Sequence, residues 1–235
     1  MPVAVVTGAS SGIGAALVNA LRGRGWLTVG LSRRPSAADE HERCDVADRE
    51  AVGAAAERVI ARHPRLDLLV NNAGISLRTR GFLDVDPDAL EHALRTNFLG
   101  SYWTTLGFLP ALGRGSTVVN VVSVAGQVAG GPYSATKHAQ LALSRSLTVE
   151  LAPRGIAVLT VNPGFVETPG FPQRSRLGPL GARMVVDPPF VATRILAAVE
   201  HGRREIVVPR WYAPVGLLQA LAPGGLARLR ARFGR

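Results

Sequence analysis

Two residues near the middle of the chain have the types and the spacing of an acid–base pair. Tyr133 and Lys137 lie four positions apart in a segment with a helical pattern, so their side chains share one face. A free tyrosine has a pKa of about 10, and an ammonium about 4 Å away contributes about 4 kcal/mol at an effective dielectric constant near 20. That energy corresponds to roughly three pKa units. The pair therefore predicts a phenol brought toward the pKa range in which a general acid or base works at neutral pH.

Lys137 is also the only lysine among the 27 Lys and Arg residues of the chain. An ammonium is a compact charge with three rotatable donors, whereas a guanidinium is a flat fork that favours bidentate partners. Lysine therefore suits a position beneath a phenol from which it also donates to sugar hydroxyls. The same spacing arises by chance on helix surfaces, and the use of the sole lysine there favours the chemical interpretation.

A glycine-rich loop, Thr-Gly-Ala-Ser-Ser-Gly-Ile-Gly at 7–14, follows an apolar run at 3–7 and precedes a helical pattern. The glycines allow a tight turn and a close approach to a ligand, and the helix N-terminus favours a pyrophosphate. A plain turn is the alternative, but the strand–loop–helix context favours a dinucleotide site. The predicted cofactor-binding residues of this loop are Gly8, Ser10, Ser11, Gly12, Ile13 and Gly14.

The end of the second predicted strand indicates which dinucleotide is bound. An NAD site usually has a carboxylate here, for the ribose 2′-hydroxyl. This chain has Arg33 and Arg34 instead, and its next acid is Asp39. Guanidinium groups pair with a 2′-phosphate, so we predict NADP(H); solvated surface arginines are the alternative.

Apolar runs that alternate with helical patterns predict an α/β fold with one doubly wound, Rossmann-like parallel sheet and helices on both faces. We expect a catalytic domain at 1–210, with a substrate lid at 169–186, and an apolar-then-basic extension at 211–235. The predicted strands are 3–7, 27–31, 42–46, 67–71, 116–122, 156–162 and 205–209, and the predicted helices are 12–24, 48–63, 87–112, 132–152 and 187–201.

With these motifs in order, the sequence resembles the short-chain dehydrogenase/reductase family over about residues 3–209. The resemblance implies that Tyr133 exchanges a proton with the substrate oxygen and that Lys137 lowers the pKa of that tyrosine and binds the nicotinamide ribose. It implies that Ser123 stabilises the substrate carbonyl and that Asn97 helps to hold a water relay to the lysine. The matching motifs are the loop at 7–14, Asp45-Val46, Asn71-Asn72-Ala73-Gly74, Asn97, Ser123, Tyr133-x-x-x-Lys137 and Pro163-Gly164 with Thr168.

The resemblance also assigns the remaining cofactor contacts. Asp45 and Val46 would hold the adenine, and Val166 and Thr168, after Pro163-Gly164, would hold the nicotinamide carboxamide. Asn72, Ala73 and Gly74 would line the adenosine ribose. Singly, each residue also has a purely structural interpretation, such as a helix cap or a strand end.

Two features depart from the family pattern. Ser123 and Tyr133 are ten positions apart, where the family usually has twelve or thirteen, so we expect either a more open pocket or a slightly displaced Ser123. We expect Gly126, Gly130 and Gly131 to accommodate the shorter loop. The apolar stretch 211–221 and the basic end after it are typical of a membrane-surface segment, but we favour a cover over the substrate pocket or a partner subunit.

Composition limits the other classes. The net charge is +10, but the arginines are scattered and no nucleic-acid motif is present, so no nucleic-acid partner is predicted. One cysteine, Cys44, suits a reducing cytosol, and with no signal-peptide pattern we expect a cytoplasmic protein. No metal site is predicted, and family analogy predicts a homo-oligomer.

Together these observations predict an NADP(H)-dependent oxidoreductase that acts on a carbonyl compound or secondary alcohol. Apolar lid residues Phe165, Phe171, Leu177, Leu180 and Met184 predict a partly apolar small-molecule substrate, while Arg174, Arg176 and Arg183 offer sites for an anionic group. The alternatives are a catalytically silent nucleotide-binding or scaffold protein of the same fold and a peripheral membrane reductase of lipid-like substrates.

Overall fold

The computed structural model describes residues 1–77, 79, 81–175, 177–225, 228 and 232. Seven parallel strands form one sheet in the order β3-β2-β1-β4-β5-β6-β7, which confirms the predicted fold class. The strands are β1 (Val3–Thr7), β2 (Leu27–Ser32), β3 (Glu40–Arg43), β4 (Leu66–Asn71), β5 (Leu112–Val121), β6 (Ala157–Pro163) and β7 (Glu205–Val208).

The helices cover both faces of the sheet, as parallel strands with crossover connections require. One core layer packs β1 and its neighbours against α1 and α7, and a second packs the opposite face against α2, α4 and α5. The helices are α1 (Gly12–Arg22), α2 (Arg49–Arg62), α3 (Pro87–Leu94), α4 (Gly100–Phe108), α5 (Pro132–Glu150), α6 (Pro179–Ala182), α7 (Pro188–Glu200) and α8 (Ala213–Leu221).

The third strand lies earlier than the predicted 42–46. It is the polar edge strand Glu40–Arg43, which pairs only with β2. Glu42 is the buried residue of this edge strand. Its carboxylate accepts hydrogen bonds from Arg58 and Arg62, so the strand packs on α2 through ion pairs. Residues 44–46 of the predicted range follow the strand instead.

The long helix predicted at 87–112 is interrupted. A π-helical turn at Arg95–Leu99 separates α3 from α4, and the Gly100 N–H donates to the Arg95 carbonyl. After Phe108, a short 3-10 turn containing Pro110 ends the helical segment, and β5 begins at Leu112. Periodicity alone does not reveal such a one-residue change in helical winding.

Candidate active site

One cavity of about 880 Å³ runs along the carboxyl ends of the strands. The strand order reverses between β1 and β4, the point at which ligands bind in open α/β sheets. The glycine-rich loop lies at one part of the cavity and Tyr133 at another, so the residues predicted from separate motifs meet in one site.

The glycines of the loop are required by close backbone contacts. Gly8 and Gly12 have φ of +64° and +57°, the left-handed region that favours glycine. A β-carbon at position 8 would lie 2.9 Å from the Cα of Ala73, and one at position 14 would lie 2.3 Å from the Gly8 carbonyl oxygen. Gly14 therefore closes α1 onto the loop without itself lining the cavity.

Arg33, Arg34 and Asp45 line the part of this cavity that follows β2 and β3. Arg33 Nη1 lies 3.6 Å from Asp45 Oδ2, and both arginines are exposed. Asp39, by contrast, does not line the cavity: its carboxylate accepts from the backbone N–H and hydroxyl of Thr28 and from Arg22. The first acid after β2 is thus engaged in the fold, away from the position where a ribose carboxylate would act.

Tyr133, in the first turn of α5, is half-buried and faces the cavity. Its ring stacks on Phe171 with a centroid distance of 6.1 Å. Burial raises the pKa of Tyr133 to about 12, and a hydrogen bond with the Ser123 hydroxyl opposes that rise. Ser123 is therefore close to the phenol, despite the short segment that connects them.

Lys137 is almost completely buried below the cavity, with 4% of its surface exposed. Its Nζ donates to the Val121 carbonyl at 3.2 Å and to Gln140 Oε1 at 2.7 Å. Burial lowers the pKa of Lys137 to about 7. Desolvation thus acts against both charged forms of the pair, opposite to the direction expected from their Coulomb attraction alone.

Asn97 lies in the π-helical turn and does not line the cavity. Its amide oxygen accepts from the Ile75 N–H at 2.8 Å, and its amide nitrogen donates to the Ile75 carbonyl and to Thr136 Oγ1, both at 2.9 Å. The side chain therefore joins the segment after β4 to α5. Its predicted part in a water relay stays a prediction.

The short connection from Ser123 to Tyr133 packs directly on α5. A β-carbon at Gly126 would lie 2.7 Å from the Lys137 carbonyl oxygen, and Gly131 has φ of +92° just before the helix. Ser123 Oγ accepts from the Ala125 N–H at 3.0 Å. Gly126 is required by this close approach and Gly131 by its backbone conformation; that Gly126, Gly130 and Gly131 together accommodate a shorter path stays a prediction.

Residues 2–176 match the family model of the short chain dehydrogenases. The chain belongs to this family. Short-chain dehydrogenases are oxidoreductases that bind nicotinamide cofactors, and the parallel sheet described above is the one they share.

Individual relatives agree with this assignment. This short-chain dehydrogenase is 35% identical, over 86% of its length and 84% of the relative's, to a Streptomyces virginiae protein named for ketoacyl reduction in monensin polyketide synthesis. A Burkholderia cenocepacia short chain dehydrogenase in complex with NADP is 28% identical, with a TM-score of 0.75 over 87% of this chain and 94% of that one.

A third protein has the same fold with the other cofactor. A Burkholderia phymatum short chain dehydrogenase/reductase in complex with NAD has a TM-score of 0.82 over 94% of this chain and 93% of that one, at 22% identity. Similarity to these structures therefore does not distinguish NADP from NAD.

The residues present in this short-chain dehydrogenase fit a dinucleotide. The glycine loop leads into the N-terminus of α1, and a β-carbon at Gly12 would lie 3.1 Å from Thr168 Cγ2, so the two segments predicted to bind the cofactor are close together. The predicted contacts that line the cavity are Gly8, Ser10, Ser11, Gly12, Ile13, Arg33, Arg34, Asp45, Val46, Asn72, Ala73, Gly74, Tyr133, Lys137, Pro163, Gly164, Val166 and Thr168.

The lid differs in part from its prediction. Phe165 and Phe171 line the cavity, but Leu177 and Met184 do not. Among the lid arginines, Arg174 pairs with Asp187 at 2.9 Å instead of facing the cavity. Arg183 does not line the cavity either, and Arg176 and the side chain of Leu180 lie outside the described residues.

The C-terminal segment completes the cavity wall. Tyr212 and Val215 line it, and Tyr212 is buried so close to Gly164 that a β-carbon there would lie 2.2 Å from its ring. Leu217, Leu218 and Leu221 of α8 are exposed, so only part of this stretch covers the pocket. Of the predicted basic end, residues 226, 227, 229–231 and 233–235 lie outside the described part.

Sequence reasoning missed several residues of the site. Ser101 and Gln140 are buried beneath Lys137, and only the helical spacing of Gln140 from Lys137 gave any signal. Gly170, Tyr212 and Val215 also line the cavity and lie within the segments predicted as lid and cover. The lining residues that the motifs did not name are Leu31, Ser32, Cys44, Ile75, Ser76, Thr96, Val121, Val122, Val124, Ala125 and Val128. Within the described residues, no cluster of three potential metal ligands is found, and no helix is long and apolar enough to span a bilayer.

The depressed pKa of Lys137 predicts a pH-dependent stability. Between pH 7 and the unfolded pKa near 10.5, the unfolded chain binds a proton that the folded protein has lost, so the free energy of unfolding rises with pH. We expect a slope of up to about 1.4 kcal/mol per pH unit from this one group between pH 7 and 9. The stability that this group contributes is fully present above the unfolded pKa and is lost progressively as the pH falls to about 7.

The measurement is chemical denaturation at several pH values, with Lys137→Met as the variant that removes the titrating group. The wild-type slope should exceed that of the variant in this window. Above pH 9 the buried Cys44 thiol, whose pKa is raised to about 11, acts in the opposite direction, so the comparison ends there. Equal slopes for both proteins would contradict the depressed pKa.

Proposed function

We propose that this short-chain dehydrogenase transfers a hydride between NADP(H) and a carbonyl compound or secondary alcohol, with Tyr133 as the acid/base. The observation that carries the proposal is the shared cavity. A phosphate-binding loop and two arginines lie toward one end, and Ser123, Tyr133 and Lys137 lie toward the other.

The chemistry at the second end is a coupled proton and hydride transfer. When bound, the nicotinamide supplies the hydride for reduction or accepts it in oxidation. In reduction, Tyr133 donates its phenolic proton to the substrate oxygen, while the Ser123 hydroxyl donates a hydrogen bond to the same atom. The Lys137 ammonium stabilises the phenolate that remains, and the alcohol leaves with both hydrogens.

The phenolate formed in this step and the Lys137 ammonium offset each other's desolvation. Burial disfavours the phenolate of Tyr133 and the ammonium of Lys137 separately. When both are charged in the same cavity they attract one another, and attraction is strongest where water is excluded. Burial therefore disfavours either charge alone but tolerates the two charges when both are present during turnover.

The substrate end supports an uncharged and partly apolar substrate. Val124, Val128, Phe165, Phe171 and Val215 line it. Two charges next to and within the lid are engaged in the fold: the Glu167 carboxylate accepts the backbone N–H groups of Gln173 and Arg174, and the Arg174 guanidinium bonds to Asp187. A catalytically silent protein, the alternative function, has no specific support, since both members of the Tyr–Lys pair are present.

NADPH preference is the expected result of a panel of neutral ketones and aldehydes assayed with NADPH and with NADH at the nicotinamide absorbance. Charge-assisted pairs with a 2′-phosphate predict about a tenfold to hundredfold advantage in kcat/KM for NADPH. Replacing both Arg33 and Arg34 with Ala should remove most of that advantage and leave kcat/KM with NADH within about threefold.

Arg43→Ala is the matched control, because Arg43 is exposed on β3 and does not line the cavity. Its kinetic constants should equal those of the wild type. A wild-type preference for NADH would overturn the role of Arg33 and Arg34, whereas absence of turnover with either cofactor across the panel would overturn the reaction itself.

A further inference from the structure

Gln140 is a fully buried amide one helical turn beyond Lys137, and the proton transfer described above does not use it. Burial of an amide is costly unless its polar atoms are hydrogen-bonded. Both ends of this amide are bonded, and one of them contacts the ammonium of Lys137.

The hydrogen bonds form a chain from α5 to α4. Lys137 Nζ donates to Gln140 Oε1 at 2.7 Å, and Gln140 Nε2 donates to Ser101 Oγ at 2.8 Å. Ser101 Oγ in turn donates to the carbonyl of Asn97, at 3.4 Å, beside the π-helical turn. Because the serine proton is directed to that carbonyl, Ser101 accepts from Gln140, and the amide presents its oxygen to the lysine.

This chain determines where the lysine points. An ammonium has three N–H groups. Two of those on Lys137 donate to Gln140 and to the Val121 carbonyl, so one remains for the cavity. The lysine side chain has many rotamers in the absence of such contacts. A bound acceptor also favours the charged form of the ammonium, against the effect of burial.

We propose that Gln140, oriented by Ser101, is a positioning residue that holds the Lys137 ammonium in place for its work on Tyr133. The inference rests on the proposed function for its catalytic consequence, but the hydrogen-bonded chain itself is independent of it. Gln140 touches neither the cavity nor the reacting atoms, so it acts only through Lys137.

The surroundings of Lys137 make the amide its main polar partner. Tyr133 of α5 is the titratable residue that shares the cavity with Lys137. The Val121 carbonyl of β5 accepts from Nζ, and the segment after β4 comes close, since a β-carbon built at Gly74 would lie 3.5 Å from Nζ. Ser101 of α4 and Asn97 of the π-helical turn are uncharged. Among the described residues, no carboxylate forms a salt bridge with Lys137.

The sole lysine permits a direct test by NMR. With a carbon-13 label at lysine Cε, the protein gives a single lysine signal, whose pH titration reports the pKa of Lys137 without assignment and without turnover. The wild type should titrate near pH 7. Gln140→Leu removes the acceptor at similar volume and should lower the pKa of Lys137 by about one unit, because the charged form loses a hydrogen bond.

Kinetics test the catalytic consequence. Gln140→Leu should lower kcat about tenfold, leave KM for the carbonyl substrate within about twofold, and move the pH limb of alcohol oxidation about one unit upward. Ser101→Ala should change the lysine pKa, kcat and the pH limb in the same directions but by smaller amounts. The double variant should match Gln140→Leu alone, since both changes break one chain.

Ser144→Ala is the control for general damage, because Ser144 is a buried polar residue of the same helix that bonds to Asn120 and Thr160 instead of Lys137. It should leave the lysine titration and the pH profile unchanged. If Gln140→Leu does not fold, Ser101→Ala decides the matter. An unchanged lysine pKa and an unchanged pH profile in the folded variants would overturn the inference, whereas an inactive wild type with shifted titrations would overturn only the proposed function.

Discussion

Tyr133→Phe should lower kcat/KM for carbonyl reduction by about 10²- to 10⁴-fold, the range that a positioned general acid contributes. The substitution removes only the hydroxyl. The ring should keep its stacking on Phe171, at 6.1 Å between centroids, so the cavity wall stays intact. We therefore expect the KM for NADPH to change by less than about twofold while the chemical step fails.

Steady-state kinetics with the best ketone of the panel provide the measurement. Tyr102→Phe is the matched control, since Tyr102 is an exposed tyrosine of α4 that does not line the cavity. Its kcat/KM should stay at the wild-type value. If Tyr133→Phe kept more than about a tenth of the wild-type kcat/KM, another group would have to be the proton donor.

Lys137→Arg should lower kcat by about a hundredfold or more although the formal charge is retained. The side chain is almost fully buried, between the Val121 carbonyl and Gln140, and the backbone of Gly74 lies near Nζ. A guanidinium is larger and has five donors in a rigid plane, so it overpacks this space and leaves donors unpaired. We also expect a loss of about 1–3 kcal/mol in the free energy of unfolding.

The comparison needs kinetics and denaturation on the same samples. Arg154→Lys supplies the control for an Arg/Lys exchange at an exposed position, and both readouts should match the wild type. Near-normal turnover by Lys137→Arg would mean that position 137 needs only a positive charge. The use of lysine at this one position would then have no chemical basis.

The two substitutions separate the parts of the pair. Tyr133→Phe removes the transferable proton and leaves the buried cation, whereas Lys137→Arg leaves the phenol and disturbs the cation below it. The burial of both groups opposes their ionisation, which raises the pKa of one to about 12 and lowers that of the other to about 7. Because burial disfavours the ammonium, Lys137 needs a hydrogen-bond acceptor that holds its charged form in place during proton transfer. We assign this role to Gln140.

The amino-acid sequence by itself determined the fold class and most element positions, and it named many of the residues that line the candidate site. Continuous apolar runs such as residues 118–122 require burial on both faces, and that condition leads to a parallel sheet with helices around it. The glycine loop could be predicted because its spacing and context are local. The i, i+4 spacing of Tyr133 and Lys137 is equally local, since one helical turn brings them to one face.

Only the tertiary structure decided what depends on distant contacts. The edge strand at Glu40–Arg43 is polar because α2 provides its ion-pair partners, and the π-helical turn at Arg95–Leu99 changes the helix by a single residue. Tyr212 joins the cavity wall through contact with Gly164, which lies 48 positions earlier in the sequence. Ser101 reaches Gln140 across two helices. Pattern and spacing describe neighbours within one element, whereas burial, pairing and the pKa values of Tyr133 and Lys137 follow from which elements pack against one another.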